Sequence, residues 1–127
     1  MPHVADGEAL DRSFVDLDAL AADLGPPPWR ACLVGAPGLR VVLLHWPSGF
    51  ATVPHVHPSA EETFRVVRGR AMFTIGAEPE REVGPGDFAF AGRGVRHAIR
   101  VPDGETLLLL ASVAPNEDRA DETIEPA

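Results

Sequence analysis

The stretch GFATVPHVHPSAEETFRVVRG, residues 49–69, decides how the rest of the chain is read. Two of the five histidines, His55 and His57, stand one residue apart in it, and Glu61 and Glu62 follow. In a strand, residues i and i+2 point to the same face, so His55 and His57 project together while Val56 points away. Pro58-Ser59-Ala60 turns the chain, and a second strand starts near Glu61 or Glu62 and runs through Phe64 and Val66. A carboxylate at the start of that strand lies beside the imidazoles. Two imidazoles and a carboxylate on adjacent strands make an open face for a transition metal. A polar strand end beside a turn is the plainer reading of the same residues.

The surroundings of this stretch have β character. From Trp29 onward turn signals recur at 35–38, 47–49, 69, 76, 84–87, 92–94 and 102–104, with short runs rich in Val, Phe, Ile and Leu between them. Short strands punctuated this often point to an all-β sandwich or barrel. Residues 107–110 are four consecutive leucines. A strand without alternation is apolar on both faces, one for the barrel and one for a helix or a second subunit. Upstream, Leu17, Leu20 and Leu24 are at helical spacing, Asp16 can cap the start, and Gly25 with Pro26-Pro27-Pro28 stops it. One short amphipathic helix over about 17–24 follows. The expected organisation is a lead-in and helix at 1–28, a barrel at 29–114 and an acidic tail at 115–127, read as a solvated arm that Ile124 anchors.

A second segment, GDFAFAGRGVRH at 86–97, reads as strand, glycine turn and strand. His97 falls on the same strand face as Val95 and Ile99, and a polar residue on an apolar inward face needs a partner. A lone histidine there is an ordinary core residue; beside a His-x-His pair and a glutamate it is a ligand candidate.

Together the two segments resemble the cupin family. The family's first motif, G-x5-H-x-H-x3,4-E-x6-G, is filled by Gly49, His55, His57, Glu62 and Gly69, and the spacing to Gly69 selects Glu62 over Glu61. In the second, G-x5-P-x-G-x2-H-x3-N, Gly86, Gly94 and His97 match, while Gly92 stands for the proline and Val101 for the asparagine. Both departures are at non-ligand positions and bear on loop shape and on hydrogen bonding around the ligands. The resemblance covers about residues 40–113. It implies a single jelly-roll β-barrel with a short N-terminal α-helix, and one divalent transition metal (Fe, Mn, Ni, Co, Cu or Zn) held by His55, His57, Glu62 and His97. If six-coordinate, the ion keeps two positions for water, substrate or dioxygen.

Strand parity gives a pocket lined by Val53, Phe64, Val66, Val95, Ile99 and one of Phe88 and Phe90, with Met72 or Phe73 closing one end. Arg93 would stand at the mouth. Glu61 reads as a solvated turn residue, His45 as a strand-end histidine bonded to backbone, and His3 as uninvolved. Cys32, the single cysteine, reads as a small apolar residue.

These features imply a metal-dependent enzyme acting on a small, largely apolar organic molecule. A dioxygenase with Glu62 as ligand and proton acceptor is the first expectation. A non-redox isomerase, cyclase or lyase, and a non-catalytic binding or sensing cupin, are the alternatives. The formal net charge of −8 argues against nucleic-acid binding. The longest aliphatic run, Leu107 to Ala111, is too short to cross a bilayer. The expected state is a cytoplasmic homodimer that binds a small molecule and neither nucleic acid nor membrane. The chain has no tyrosine, so no phenol can act as acid, base or radical.

Overall fold

The computed structural model describes residues 9–117 and 123–124. The helix α1 spans Leu17–Leu24. Asp16 caps it by accepting from the Ala19 amide at 3.0 Å, and Gly25 ends it at φ 81°. Among the described residues ten strands follow: β1 (Trp29–Ala36), β2 (Leu39–Trp46), β3 (His55–Val56), β4 (Glu61–Gly69), β5 (Ala71–Ile75), β6 (Arg81–Val83), β7 (Ala89–Ala91), β8 (His97–Arg100), β9 (Leu107–Ala114) and β10 (Thr123–Ile124). They form two five-stranded sheets, in the orders β1-β2-β9-β4-β7 and β10-β3-β8-β5-β6, whose named pairings are antiparallel. This is the all-β jelly roll with one short helix that the sequence implies.

Alternation explains the packing between the sheets. On β4, Glu62, Phe64 and Val66 turn inward while Glu61 and Arg65 face solvent. Phe73 and Ile99 come from the opposite sheet, Val101 from just beyond β8, and Leu107, Leu109 and Ala111 from β9. The rings of Phe64 and Phe73 meet edge to face at 5.3 Å and tie the layers together. Val101, at the family's asparagine position, is buried in this core, and its amide donates to the Phe50 carbonyl at 2.7 Å.

The leucine run uses both of its faces within the chain. Leu107 and Leu109 belong to the barrel core; Leu108 packs in a second cluster with Ala21 and Leu24 of the helix and with Trp29, Ala31, Leu33 and Leu43. The Trp29 indole donates to the Gly25 carbonyl at 2.8 Å and fastens the helix end to β1. The helix is therefore what covers the outer face, and the double apolarity by itself calls for no second subunit.

Gly69 makes the corner between the sheets. Its φ is +88°, and a Cβ there would stand 1.8 Å from the Thr106 carbonyl oxygen, so this position takes no side chain. The tail differs from expectation. It is not simply a solvated arm: Glu117 is buried, and Thr123–Ile124 pairs with β3.

Candidate metal centre

The four residues named from the motifs are brought to one place. β3 is only two residues long, and its His55 stands directly opposite His97 of β8. His57 follows just after β3. Glu62 enters from the facing sheet, at the second position of β4, where alternation turns it inward and Glu61 outward. His57, Glu62 and His97 are buried and His55 is half-buried. One ligand atom from each of the four lies within 4.8 Å of all the others. Gly94 holds the second motif against the first, its amide donating to the His57 carbonyl at 2.9 Å.

The imidazoles are oriented from behind. His55 Nδ1 faces the Val53 carbonyl at 2.9 Å, His97 Nδ1 faces the Val95 carbonyl at 3.0 Å, and His57 Nδ1 faces Glu117 Oε1 at 2.9 Å. A carbonyl or carboxylate oxygen only accepts, so each Nδ1 carries hydrogen and donates. In the neutral ring the lone pair is then on Nε2, on the inner side.

Those inner atoms meet the ligand carboxylate. Glu62 Oε1 lies 2.9 Å from His57 Nε2 and 3.1 Å from His97 Nε2. The atoms are close, but Glu62 Oε1 and His97 Nε2 are buried without a partner at hydrogen-bonding angles among the described residues. Lone pairs facing a carboxylate oxygen at this distance repel unless a proton or a cation lies among them. Burial, the largest influence, pushes the Glu62 carboxyl up; contact with His57 and His97 and their charge outweigh it and hold it at about 2. Protonated imidazoles are one way to relieve the repulsion, and a metal ion is the other. Two ligand atoms at right angles, each about 2.1 Å from a common ion, stand about 3.0 Å apart. The observed spacings fit that, and an imidazole and carboxylate donor set suits a divalent transition metal.

The predicted lining is divided by the structure. Phe64, Val66 and Ile99 are buried in the barrel, with the Phe64 ring 5.7 Å from that of His97. Phe73, rather than Met72, points into the core. Val53 is 52% exposed, and its contribution is the carbonyl that holds His55. Half-buried Val95 acts on His97 through its carbonyl in the same way. Phe88 and Phe90 are both exposed, because β7 turns Ala89 and Ala91 inward instead. Ala91 stands opposite Glu62 in the ladder, where a phenyl ring would crowd the ligands. Gly92 needs no left-handed backbone and makes a turn closed by Val95 N–H to Gly92 O at 3.0 Å. Arg93 is exposed on that turn.

His45 is on the outer face, its ring 5.2 Å from that of Trp29, and has no part in the cluster. Burial lowers its pKa and Arg68 adds to the fall, and its Nδ1 is buried without a hydrogen-bond partner among the described residues. His3 lies outside the described residues. Glu117 was not singled out by its sequence context.

Residues 42–113 match the cupin domain family. The chain belongs to that family. Among its relatives is the dimethylsulfoniopropionate lyase DddQ of Ruegeria pomeroyi, 34% identical over 85 residues, which are 62% of this chain and 42% of the lyase. The crystal structure of that lyase superposes with a TM-score of 0.67 at 28% identity, over 76% of this cupin and 50% of the lyase chain. The cupin thus spans about half the length of the lyase it matches. A protein of Thermus thermophilus matches at TM-score 0.74 and 26% identity, over 84% of this chain and 100% of its own. A double-stranded β-helix protein of Klebsiella pneumoniae matches at TM-score 0.76 and 23% identity, over 92% of this chain and 100% of its own, a likeness of fold. No helix among the described residues is long and apolar enough to cross a membrane.

Proposed function

We propose that this cupin is a metal-dependent enzyme of lyase type. It would hold one divalent transition metal at His55, His57, Glu62 and His97 and act on a small organic molecule. The observation that carries the reading is the convergence of the His57 and His97 rings on Glu62 Oε1, where Glu62 Oε1 and His97 Nε2 are buried together and call for a proton or a cation between them. A bound divalent ion supplies Lewis acidity, polarising a substrate oxygen and easing loss of a proton from the neighbouring carbon.

The chain's own residues set the conditions. His55 is the least buried of the four, so substrate reaches the centre from its side. Phe64, Val66 and Ile99 form an apolar floor behind the ligands and keep water from that side. The Glu62 oxygen that faces the imidazoles is buried between two of them, which favours ligation over base catalysis as its role.

The reaction class is supported by the 34% identity to a lyase. The dioxygenase expected from the sequence gains no specific support from that relative. The cytoplasmic homodimer expected from the sequence stays a proposal that the outer leucine face, covered by α1, does not support.

The test is turnover of the zinc- or manganese-loaded protein under strict exclusion of oxygen. Substrates would be dimethylsulfoniopropionate and other small carboxylates with a leaving group on the β carbon, with products read by NMR. Product formed without oxygen is expected. Turnover only with oxygen consumption would restore the dioxygenase reading, and ligand-induced stabilisation without product would indicate a binding module.

A further inference from the structure

We infer that Glu117 is a positioning residue of the metal centre, and that through it metal binding and docking of the C-terminal segment depend on each other. The inference rests on the metal-site reading above and extends it to a residue outside the family motifs.

The three imidazoles are not held alike. His55 and His97 each donate from Nδ1 to a carbonyl two residues back, just before the strand each begins, an anchor that is local in the chain. His57 has its Nδ1 on a carboxylate sixty positions away. Glu117 is only 3% exposed, and both its oxygens are engaged: Oε1 accepts from His57 Nδ1, and Oε2 accepts from the Ser59 amide at 3.2 Å. Ser59 is in the turn that leads from the His-x-His pair to Glu62. One carboxylate therefore fixes both the ring of His57 and the turn that sets the distance to the fourth ligand.

The charges agree with this arrangement. His57 is flanked by two buried carboxylates at 2.9 Å, Glu117 on Nδ1 and Glu62 on Nε2. A divalent ion among the three imidazoles would offset the charge of the two carboxylates that flank His57. A buried carboxylate without such balance is costly. The ion therefore favours the docked Glu117, and the docked Glu117 favours the ion, the reciprocity any coupled pair of equilibria obeys. The same segment continues into β10, which pairs Ile124 with His55 and Thr123 with Val56, so it borders the metal-bearing strand as well.

The test uses the full chain as wild type, E117A and E117Q; the latter keeps the volume and an acceptor but removes the charge. Zn(II) affinity is measured by competition with a chelator, the Co(II) d–d spectrum reports ligand geometry, and amide exchange at Thr123 and Ile124 reports docking. We expect Zn(II) affinity to fall about 10–100-fold in E117Q, with an altered Co(II) spectrum. Zn(II) should slow exchange at Thr123 and Ile124 in the wild type and do so less in E117Q. Unchanged affinity and spectrum in E117Q, with wild type binding Zn(II) tightly, would overturn the inference and leave the metal site standing. Failure of the wild type itself to bind Zn(II) would overturn both.

Discussion

His55 and His97, from two different sequence motifs, face each other directly across the β3–β8 ladder, with ring centroids 4.4 Å apart. The pairing makes one site from two motifs, because a strand register fixes which side chains meet. Replacing His55, His57 or His97 by alanine should strongly reduce bound metal while the barrel stays folded, since the two hydrophobic clusters do not include them. Elemental analysis with circular dichroism checks this. A full complement of metal in any of the three variants would refute that ligand.

Neighbouring glutamates should behave differently. Glu62 is buried with Oε1 between two imidazoles, whereas Glu61 is exposed and stands opposite Ala114. Glu62→Gln should weaken metal binding, and Glu61→Gln should leave it at the wild-type value, measured by chelator competition. Equal loss in both would mean that net negative charge, rather than ligation, holds the ion.

Gly69→Ala should destabilise the fold without touching the ligands. The left-handed backbone alone costs a side-chain-bearing residue about 1–3 kcal/mol, and the clash with Thr106 O adds to that. A fall in the unfolding free energy of at least that size is expected from denaturant titration, and an unchanged value would show that the corner can relax.

Leu108→Ala should loosen the helix from the sheet. Leu108 is 1% exposed, between α1 and β9's neighbours. Such truncations cost about 2–5 kcal/mol. Thermal unfolding reads the loss; a change in association state instead would place a second subunit on this face.

Acid should expose the His45 contact. Its folded pKa lies below the ordinary value of 6.5, chiefly through burial, so the fold favours the neutral ring. The stability this provides is complete above pH 6.5 and is lost as pH falls through the lowered value. In metal-free protein, His45→Phe should lose less stability than the wild type as pH falls below 6.5. Parallel stability curves would show that protonation of His45 is accommodated.

What could be read from the sequence was what depends on local spacing. The helix ends were legible because leucine periodicity, an aspartate cap and a glycine stop all act within a few residues. The cluster of His55, His57, Glu62 and His97 was legible because two linked motifs carry these residues. The Phe88 and Phe90 reading failed because Phe-Ala-Phe-Ala alternates between two apolar residue types, and only the pairing of Ala91 with Glu62 shows which faces in. Glu117 was illegible for a different reason. It is one of five acidic residues in the last thirteen, and its burial comes from a contact across sixty positions that no local pattern encodes.

The central claim is that one ion is held jointly by His55, His57, Glu62 and His97. Anomalous scattering from a crystal of the metal-loaded protein, recorded at the metal's absorption edge, tests it most directly. The account predicts a single peak within bonding distance of the three Nε2 atoms and a Glu62 carboxylate oxygen. A peak at other residues, or none there at full loading, would contradict it.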